Sequence, residues 1–235
     1  MSAQDDDEHH FLKAPEVVET SQLLFTELLS ESDRGAIIIA ADVIDAHLDA
    51  FLREIAPASL TKNNLDAILE HPGPLKTFSA KADVMHLMGL IPTQAHRAIT
   101  LLRRIRNDGA HTQKSFALSD HKQRFDEMLE VLGGADDVIH NLAVESVMTD
   151  VIYKAIEIEM TDADGAFHKP FSTRADFLIY LQQNPHLLVE LERRVPKMSL
   201  ALAMHLLTGL IVFHRKRIAS STADEAISPI KSNGE

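Results

Sequence analysis

The side chains best suited to chemistry gather in one short segment, Leu101–His111 (LLRRIRNDGAH). It holds three arginines, an amide and a histidine at the point where a predicted helix stops. Guanidinium groups bind anionic oxygens, and an imidazole can transfer protons near neutral pH. A structural interpretation also explains the pattern: Asn107 and Asp108 end the helix, and Gly109 takes a left-handed conformation. The basic side chains would then favour the negative pole of the helix.

Other patterns with a known chemistry are missing from the sequence. With Gly165 as the central glycine of an EF-hand loop, the loop would begin at Met160 and end at Phe171, where carboxylates are required. The 13 histidines show no spacing typical of a zinc site. There is no glycine-rich phosphate loop and no Gly-x-Ser-x-Gly motif. With no cysteine present, we expect no metal and no cofactor.

Composition and charge indicate a helical protein of the cytoplasm. Apolar residues make up 45% of the 235-residue chain and aromatic residues only 5%, which favours helices over β-sandwiches or barrels. The acidic N-terminus does not resemble a signal peptide. The net charge of −12 disfavours tight direct DNA binding, which depends on Lys and Arg.

One segment is apolar enough to require a membrane test. Met198–Phe213 is followed by a basic run, which resembles the cytoplasmic flank of a membrane-spanning helix. It is shorter than the roughly 17–25 residues that span a bilayer. It also contains Ser199, His205 and Thr208. We therefore expect a buried core helix and no contact with a membrane.

Apolar residues recur at helical spacing along almost the whole chain, without an alternating strand pattern. Helices are predicted at about 15–29, 33–55, 64–70, 75–89, 92–108, from Ser119 or Asp120 to 133, 136–160, 172–183, 185–194 and 197–219. The predicted fold class is all-α, a multi-helix bundle with a C-terminal helical extension.

The second predicted helix should lie at the centre of the bundle. Ser32 is a suitable N-cap, and the residues from Ile37 to Ile44 are nearly all apolar. The spacing of Asp42, Asp45 and Asp49 places them on one face. That face is predicted to be an acidic stripe, open to water or to a basic partner.

Four sequence blocks resemble, in order, the mannitol operon repressor family. They are Glu31–Ala36 (ESDRGA), Gly73–Lys81 (GPLKTFSAK), Gly89–Ile91 (GLI) and Arg104–His111 (RIRNDGAH). The resemblance covers residues 17–132, and Gly109 stands where the family pattern has a larger, often aromatic, residue. It implies an all-helical domain that regulates transcription of sugar-alcohol uptake genes.

If the chain regulates transcription, its residues indicate that it works through other proteins. The sequence contains no convincing helix-turn-helix, no basic recognition helix and no basic arm. We therefore expect a homodimer with a protein partner in transcription control, and direct DNA binding that is weak or absent. This interpretation assigns the chain no catalytic residue.

The same segment supports an alternative. The spacing Arg106-x4-His111, with Asn107 after the arginine, resembles the signature of the HEPN superfamily of helical ribonucleases and nucleotide-binding domains. That resemblance implies a metal-independent endoribonuclease or an RNA-binding domain. His111 would act on a ribose 2′-hydroxyl as general acid or base, and Arg106 would stabilise charge on the phosphate. Such sites form where two copies meet, so this function would require a dimer.

The start of the second helix could extend this site. In a structural role, Asp33 would place a favourable charge at the positive pole of the helix, and Arg34 would form an ion pair with a neighbouring acid. A functional role would place either side chain against the region from Arg106 to His111. The predicted functional polar cluster consists of Asp33, Arg34, Arg104, Arg106, Asn107 and His111.

The chain is predicted to have four parts. Residues 1–13 form a disordered acidic tail, and residues 14–133 form the domain that resembles the mannitol operon repressor. Residues 134–219 form a C-terminal helical extension packed on that domain. Residues 220–235 form a second disordered tail.

Overall fold

A computed structural model describes residues 10–111, 115–133, 136–161, 164–165 and 167–227. It confirms the all-α prediction. The helices are α1 (Pro15–Ser30), α2 (Asp33–Ile55), α3 (Lys62–Leu69), α4 (Phe78–Leu87), α5 (Thr93–His111), α6 (Lys122–Val131), α7 (Asp136–Glu157), α8 (Arg174–Gln183), α9 (Pro185–Glu192) and α10 (Val195–Ile227). Two short antiparallel strands, β1 (Met160–Thr161) and β2 (Phe167–His168), lie in the predicted loop between α7 and α8.

The core is built around α2 and α10, which pack against each other. The side chains of Ile37, Ile44 and Leu48 from α2 are fully buried, as are Met204 and Leu207 from α10. These residues belong to one apolar cluster that also includes the inner face of α5. Helix α1 covers one side of α10, and α7 contacts it as well. The predicted central position of α2 is therefore correct.

The most apolar part of the chain is a core helix. Residues 185–220 contain an 18-residue window with a mean hydropathy of 1.6, so this stretch could cross a bilayer by length and composition alone. However, 67% of the most apolar window in this stretch is buried inside the protein. That burial is compatible with a soluble protein and agrees with the expectation for Met198–Phe213.

Local signals set several helix boundaries as predicted. The Ser32 hydroxyl accepts a hydrogen bond from the backbone N–H of Gly35 at 3.1 Å, which caps α2. Gly89 follows α4 with a φ of +69°, a conformation that glycine adopts without a steric penalty. The capping residues alone were sufficient to locate these two ends.

The end of α5 differs from the prediction. Gly109 is helical, and α5 continues to His111 instead of ending near Asp108. The reason is tertiary packing: a Cβ at Gly109 would lie 3.3 Å from Ile37 Cγ2 and 3.4 Å from the Phe116 ring. The glycine lets both side chains approach α5 closely. The aromatic Phe116 thus fills the space beside the position where the family pattern has a larger residue.

The predicted tails fall only partly within the described residues. Residues 1–9 and 228–235 lie outside them. Residues His10–Lys13 form a 3-10 turn, and the Phe11 ring contacts the Phe213 ring with centroids 5.3 Å apart. Helix α10 continues past the predicted end to Ile227.

A polar cluster around the buried Arg215 joins α1, α2 and α10. Arg215 is only 8% exposed, and its guanidinium forms ion pairs with Glu16 and, at 3.0 Å, with Glu54. Beside it, the His47 ring lies 3.0 Å from the hydroxyl of Thr20. Nothing in the helical periodicity predicts this cluster, because the basic run after Phe213 is equally compatible with a solvated helix end.

We expect the free energy of unfolding to fall as the pH is lowered from about 7.5 to 5.5. Burial lowers the pKa of His47; the neighbouring Arg215 lowers it further, and Glu16 partly opposes both effects. Burial also lowers the pKa values of His205 and His214. In the unfolded chain these histidines take up protons near pH 6.5, whereas in the folded protein they stay neutral to lower pH. The unfolded state binds more protons in this range, so acid favours it.

Urea unfolding at three pH values within that range would measure the effect. The variant His47→Gln keeps a polar group opposite Thr20 and removes one titrating group, so its stability should depend less on pH. A wild-type stability that stays constant or rises on acidification would contradict the prediction.

Candidate functional site

Two of the predicted functional side chains of α5, Arg106 and Asn107, line a groove between α2, the start of α4 and α5, together with Arg103, which the prediction did not include. We call it the polar groove; its volume is about 480 Å³. It is lined by Ala41, Asp42, Asp45, Lys76, Thr77, Phe78, Ser79, Arg103, Arg106 and Asn107. Two of the four resembling blocks, Gly73–Lys81 and Arg104–His111, therefore meet at this groove.

The start of α4 fixes one cation of the polar groove. The Arg103 guanidinium donates a hydrogen bond to the Ser79 hydroxyl, which donates in turn to Asp83 at 3.2 Å. The Thr77 hydroxyl caps α4 by accepting from the N–H of Ala80 at 3.1 Å. In contrast, the Arg106 guanidinium lies 3.5 Å from the Asn107 amide oxygen, too long for a strong hydrogen bond.

Two of the three acidic residues in the stripe of α2, Asp45 and Asp49, are paired within the protein, contrary to the expectation, whereas Asp42 is exposed in the polar groove as expected. Lys81 is only 5% exposed, and its ammonium group lies 3.1 Å from both Asp45 and Asp49. Asp49 also pairs with Arg53 at 2.5 Å. Burial alone would raise the pKa of Asp49, but its hydrogen bonds with Arg53 and Lys81 hold it below the usual range. These two carboxylates thus belong to an ion-pair network inside the protein, and only Asp42 stays open to water.

His111 faces a different groove. Residues 107, 108, 111, 115, 116, 120 and 121 line this second groove, which we call the His111 groove. Asp108 forms an ion pair with Arg124 of α6 and lies 3.8 Å from the ring of His121. Asn107 lines both grooves. Arg106 and His111 are five positions apart, about 140° around an α-helix, which explains why one protomer does not bring them together.

The remaining members of the predicted polar cluster, Asp33, Arg34 and Arg104, are not part of the lining of either groove. Asp33 is at the same end of the molecule, where its carboxylate accepts a hydrogen bond from the N–H of Leu118 at 2.8 Å. That bond holds the segment after α5. Arg34 is half-buried at the start of α2, and Arg104 is exposed on the outer face of α5. The six residues are therefore divided between two grooves and their surroundings, and their shared function stays a prediction.

No group of three or more His, Asp or Glu side chains that could hold a metal ion occurs in the part of the chain that the structure describes. The basic groups of the polar groove are instead suited to an anion.

The C-terminal helices form an apolar groove, which none of the predicted polar site residues indicated. Two adjacent cavities between α6, α7, α9 and α10 share His140, Glu192 and Val195. We call them together the C-terminal apolar groove; its apolar lining includes Phe125, Leu129, Val144, Val147, Met148, Leu188, Leu191 and Val195. Several large apolar side chains nearby are exposed, among them Val138 at 56% and Val189 at 49%. The available sequence signal was the apolar faces of the helices predicted from Asp136 onward.

Comparisons with known proteins identify no relative. No protein-family model matches the chain, and no curated protein or solved structure matches it either. The resemblance to the mannitol operon repressor family, made from the four blocks, and the resemblance to the HEPN signature, made from the last block alone, therefore remain predictions.

Proposed function

We propose that the protein is a non-enzymatic regulator of transcription, of the mannitol operon repressor type, which acts in the cytoplasm by binding another protein. The observation that carries this proposal is the C-terminal apolar groove with the exposed apolar side chains beside it. Surfaces of this kind are typical of sites that another protein covers. The four resembling blocks support the role in transcription, and the net charge of −12 supports an indirect contact with DNA.

The shape of the groove favours a helix of the partner. Helices α7 and α9 form its walls, an arrangement in which an amphipathic helix can bury its apolar face. Glu192 lines both halves of the groove, and the protein is acidic overall. A partner helix with an apolar stripe and basic flanks would complement these charges.

Transcript levels in cells that lack the gene test this function. We expect a limited set of transcripts to rise and wild-type protein to restore them. The double variant Val144→Glu, Leu188→Glu should fail, because these side chains line the groove and are 37% and 38% exposed, so charges there block docking more than folding. Leu87→Glu, at a residue 85% exposed and outside the groove, is the matched control and should complement fully.

Unchanged transcripts in the deletion strain would contradict a regulatory role. Full complementation by the double variant would remove the groove from the mechanism.

The ribonuclease alternative makes a different prediction. Because Arg106 and His111 face separate grooves, a catalytic pair would have to combine residues from two copies. We expect purified protein to leave labelled single-stranded RNA intact in the absence of divalent metal. Cleavage that is lost in His111→Ala would overturn the non-enzymatic proposal. Light scattering on the same sample would check the predicted homodimer.

A further inference from the structure

We propose that the polar groove binds a small molecule that carries a phosphate monoester. Three cationic side chains, Lys76, Arg103 and Arg106, line this one groove together with the amide of Asn107. Cations that converge on a concave surface with an amide donor are suited to a phosphate. This site goes beyond the regulatory function proposed above and does not depend on it.

The balance of charge in the groove favours an anion. Two carboxylates, Asp42 and Asp45, also line it. The Asp45 carboxylate lies 3.1 Å from the buried ammonium group of Lys81, which does not line the groove and offsets part of the charge of Asp45, since it is shared with Asp49. The three groove cations therefore outnumber the two groove carboxylates, of which the exposed one is Asp42. Its oxygens can accept a hydrogen bond from a hydroxyl group on the ligand.

The cations differ in how firmly they are held. Arg103 is half-buried and bonded to Ser79 at the start of α4, so binding a ligand costs it little conformational freedom. The contact of Arg106 with Asn107 is 3.5 Å long and competes weakly with a phosphate oxygen. Lys76 is exposed at the rim of the groove and adds a point charge.

The size of the groove favours a small ligand over a polymer. Its volume of about 480 Å³ lies within the range of roughly 300–1,000 Å³ typical of small-molecule sites. A nucleic acid would in addition meet the repulsion of a protein with a net charge of −12. A small phosphate monoester and a nucleic acid both present phosphate oxygens to the groove. Binding of glycerol 3-phosphate and binding of a single-stranded oligoribonucleotide separate these two sources experimentally.

Isothermal titration calorimetry of glycerol 3-phosphate into the full chain, at constant ionic strength, tests the site. We expect saturable binding of one molecule per chain. Arg103→Gln should weaken it roughly tenfold or more, because a charge-assisted hydrogen bond is lost. Lys76→Gln, at an exposed position, should weaken it without affecting folding. Arg104→Gln, the neighbouring cation on the outer face of the same helix, is the matched control and should bind as wild type does.

Thermal melting of each variant shows whether it is folded; if Arg103→Gln is not, Lys76→Gln decides. The proposal is overturned if folded wild-type protein shows no saturable binding, or if Arg104→Gln weakens binding as much as Lys76→Gln. It is overturned too if a single-stranded oligoribonucleotide binds and glycerol 3-phosphate does not.

Discussion

Lys81→Met is expected to lower the free energy of unfolding by roughly 3 kcal/mol or more. The side chain is 5% exposed and lies between Asp45 and Asp49, 3.1 Å from each. Methionine fills similar space but leaves two partly buried carboxylates without their shared cation. Removing one partner from a buried ion-pair group lowers the free energy of unfolding far more than the intact group raises it, because the remaining charges stay desolvated.

Urea unfolding at pH 7, followed by circular dichroism, measures the loss. Lys76→Met changes an exposed lysine of the same segment and should have little effect. Adding Asp45→Asn to Lys81→Met should recover part of the stability, since it removes the carboxylate that Lys81 paired, while Asp49 keeps its ion pair with Arg53. A loss below about 1 kcal/mol, the size of a surface ion pair, would show that Lys81 is not an important ion-pair partner.

Gly73→Ala should lower stability by roughly 1–3 kcal/mol, the usual cost of overpacking, or by more. A Cβ at this position would lie 2.4 Å from the carbonyl oxygens of Ala67 and Ile68 and 2.6 Å from that of Glu70. These oxygens belong to the backbone of α3 and of Glu70, which caps it. The added methyl group would overlap them, so the segment before α4 must move. Lys76 lies in that segment, and we expect weaker binding of glycerol 3-phosphate as well.

Gly35→Ala is the matched control for this substitution. The nearest atom to a Cβ there is Oε2 of Glu31, the end of a flexible and exposed side chain that can move aside. Gly35 also lies in α2, where alanine is favoured over glycine by roughly 0.5–1 kcal/mol. The stability of the Gly35→Ala variant should equal or exceed that of the wild-type protein. If both alanine variants melt at the wild-type temperature, the close approach at Gly73 is not a constraint on the fold.

The sequence was a good guide to features that depend on neighbouring residues. Helical periodicity identified the all-α class, and Ser32 and Gly89 located helix ends because capping acts within one turn. The apolar run in α2 indicated its central position, because a helix that is apolar almost all round must be covered.

Features that depend on distant residues were missed or misread. Gly109 after Asn107 and Asp108 has the pattern of a helix stop, but packing of Ile37 and Phe116 against it keeps it helical. A lysine is rarely buried, so no local pattern separates Lys81 from its exposed neighbours.

The spacing of residues in the sequence could have predicted that the site divides into two grooves. Once α5 extends to His111, helical geometry alone places Arg106 and His111 about 140° apart. Asn107 falls between them and lines both grooves. Which acids and cations face each side could not be predicted, since these come from α2, the start of α4 and the 3-10 turn Leu118–His121 that follows α5.

The position of α10 in the core has a consequence for the folding of the chain on the ribosome. Helix α2 ends at Ile55, whereas its partner α10 begins at Val195, so their contacts join distant parts of the sequence. During synthesis the apolar faces of α1 and α2 must wait for most of the chain before α10 can cover them. Contacts at such separation also slow folding, because a long loop must close before the helices pack. Nascent chains that stop before Val195 should therefore be substrates for chaperones, even though most of the helices are already complete.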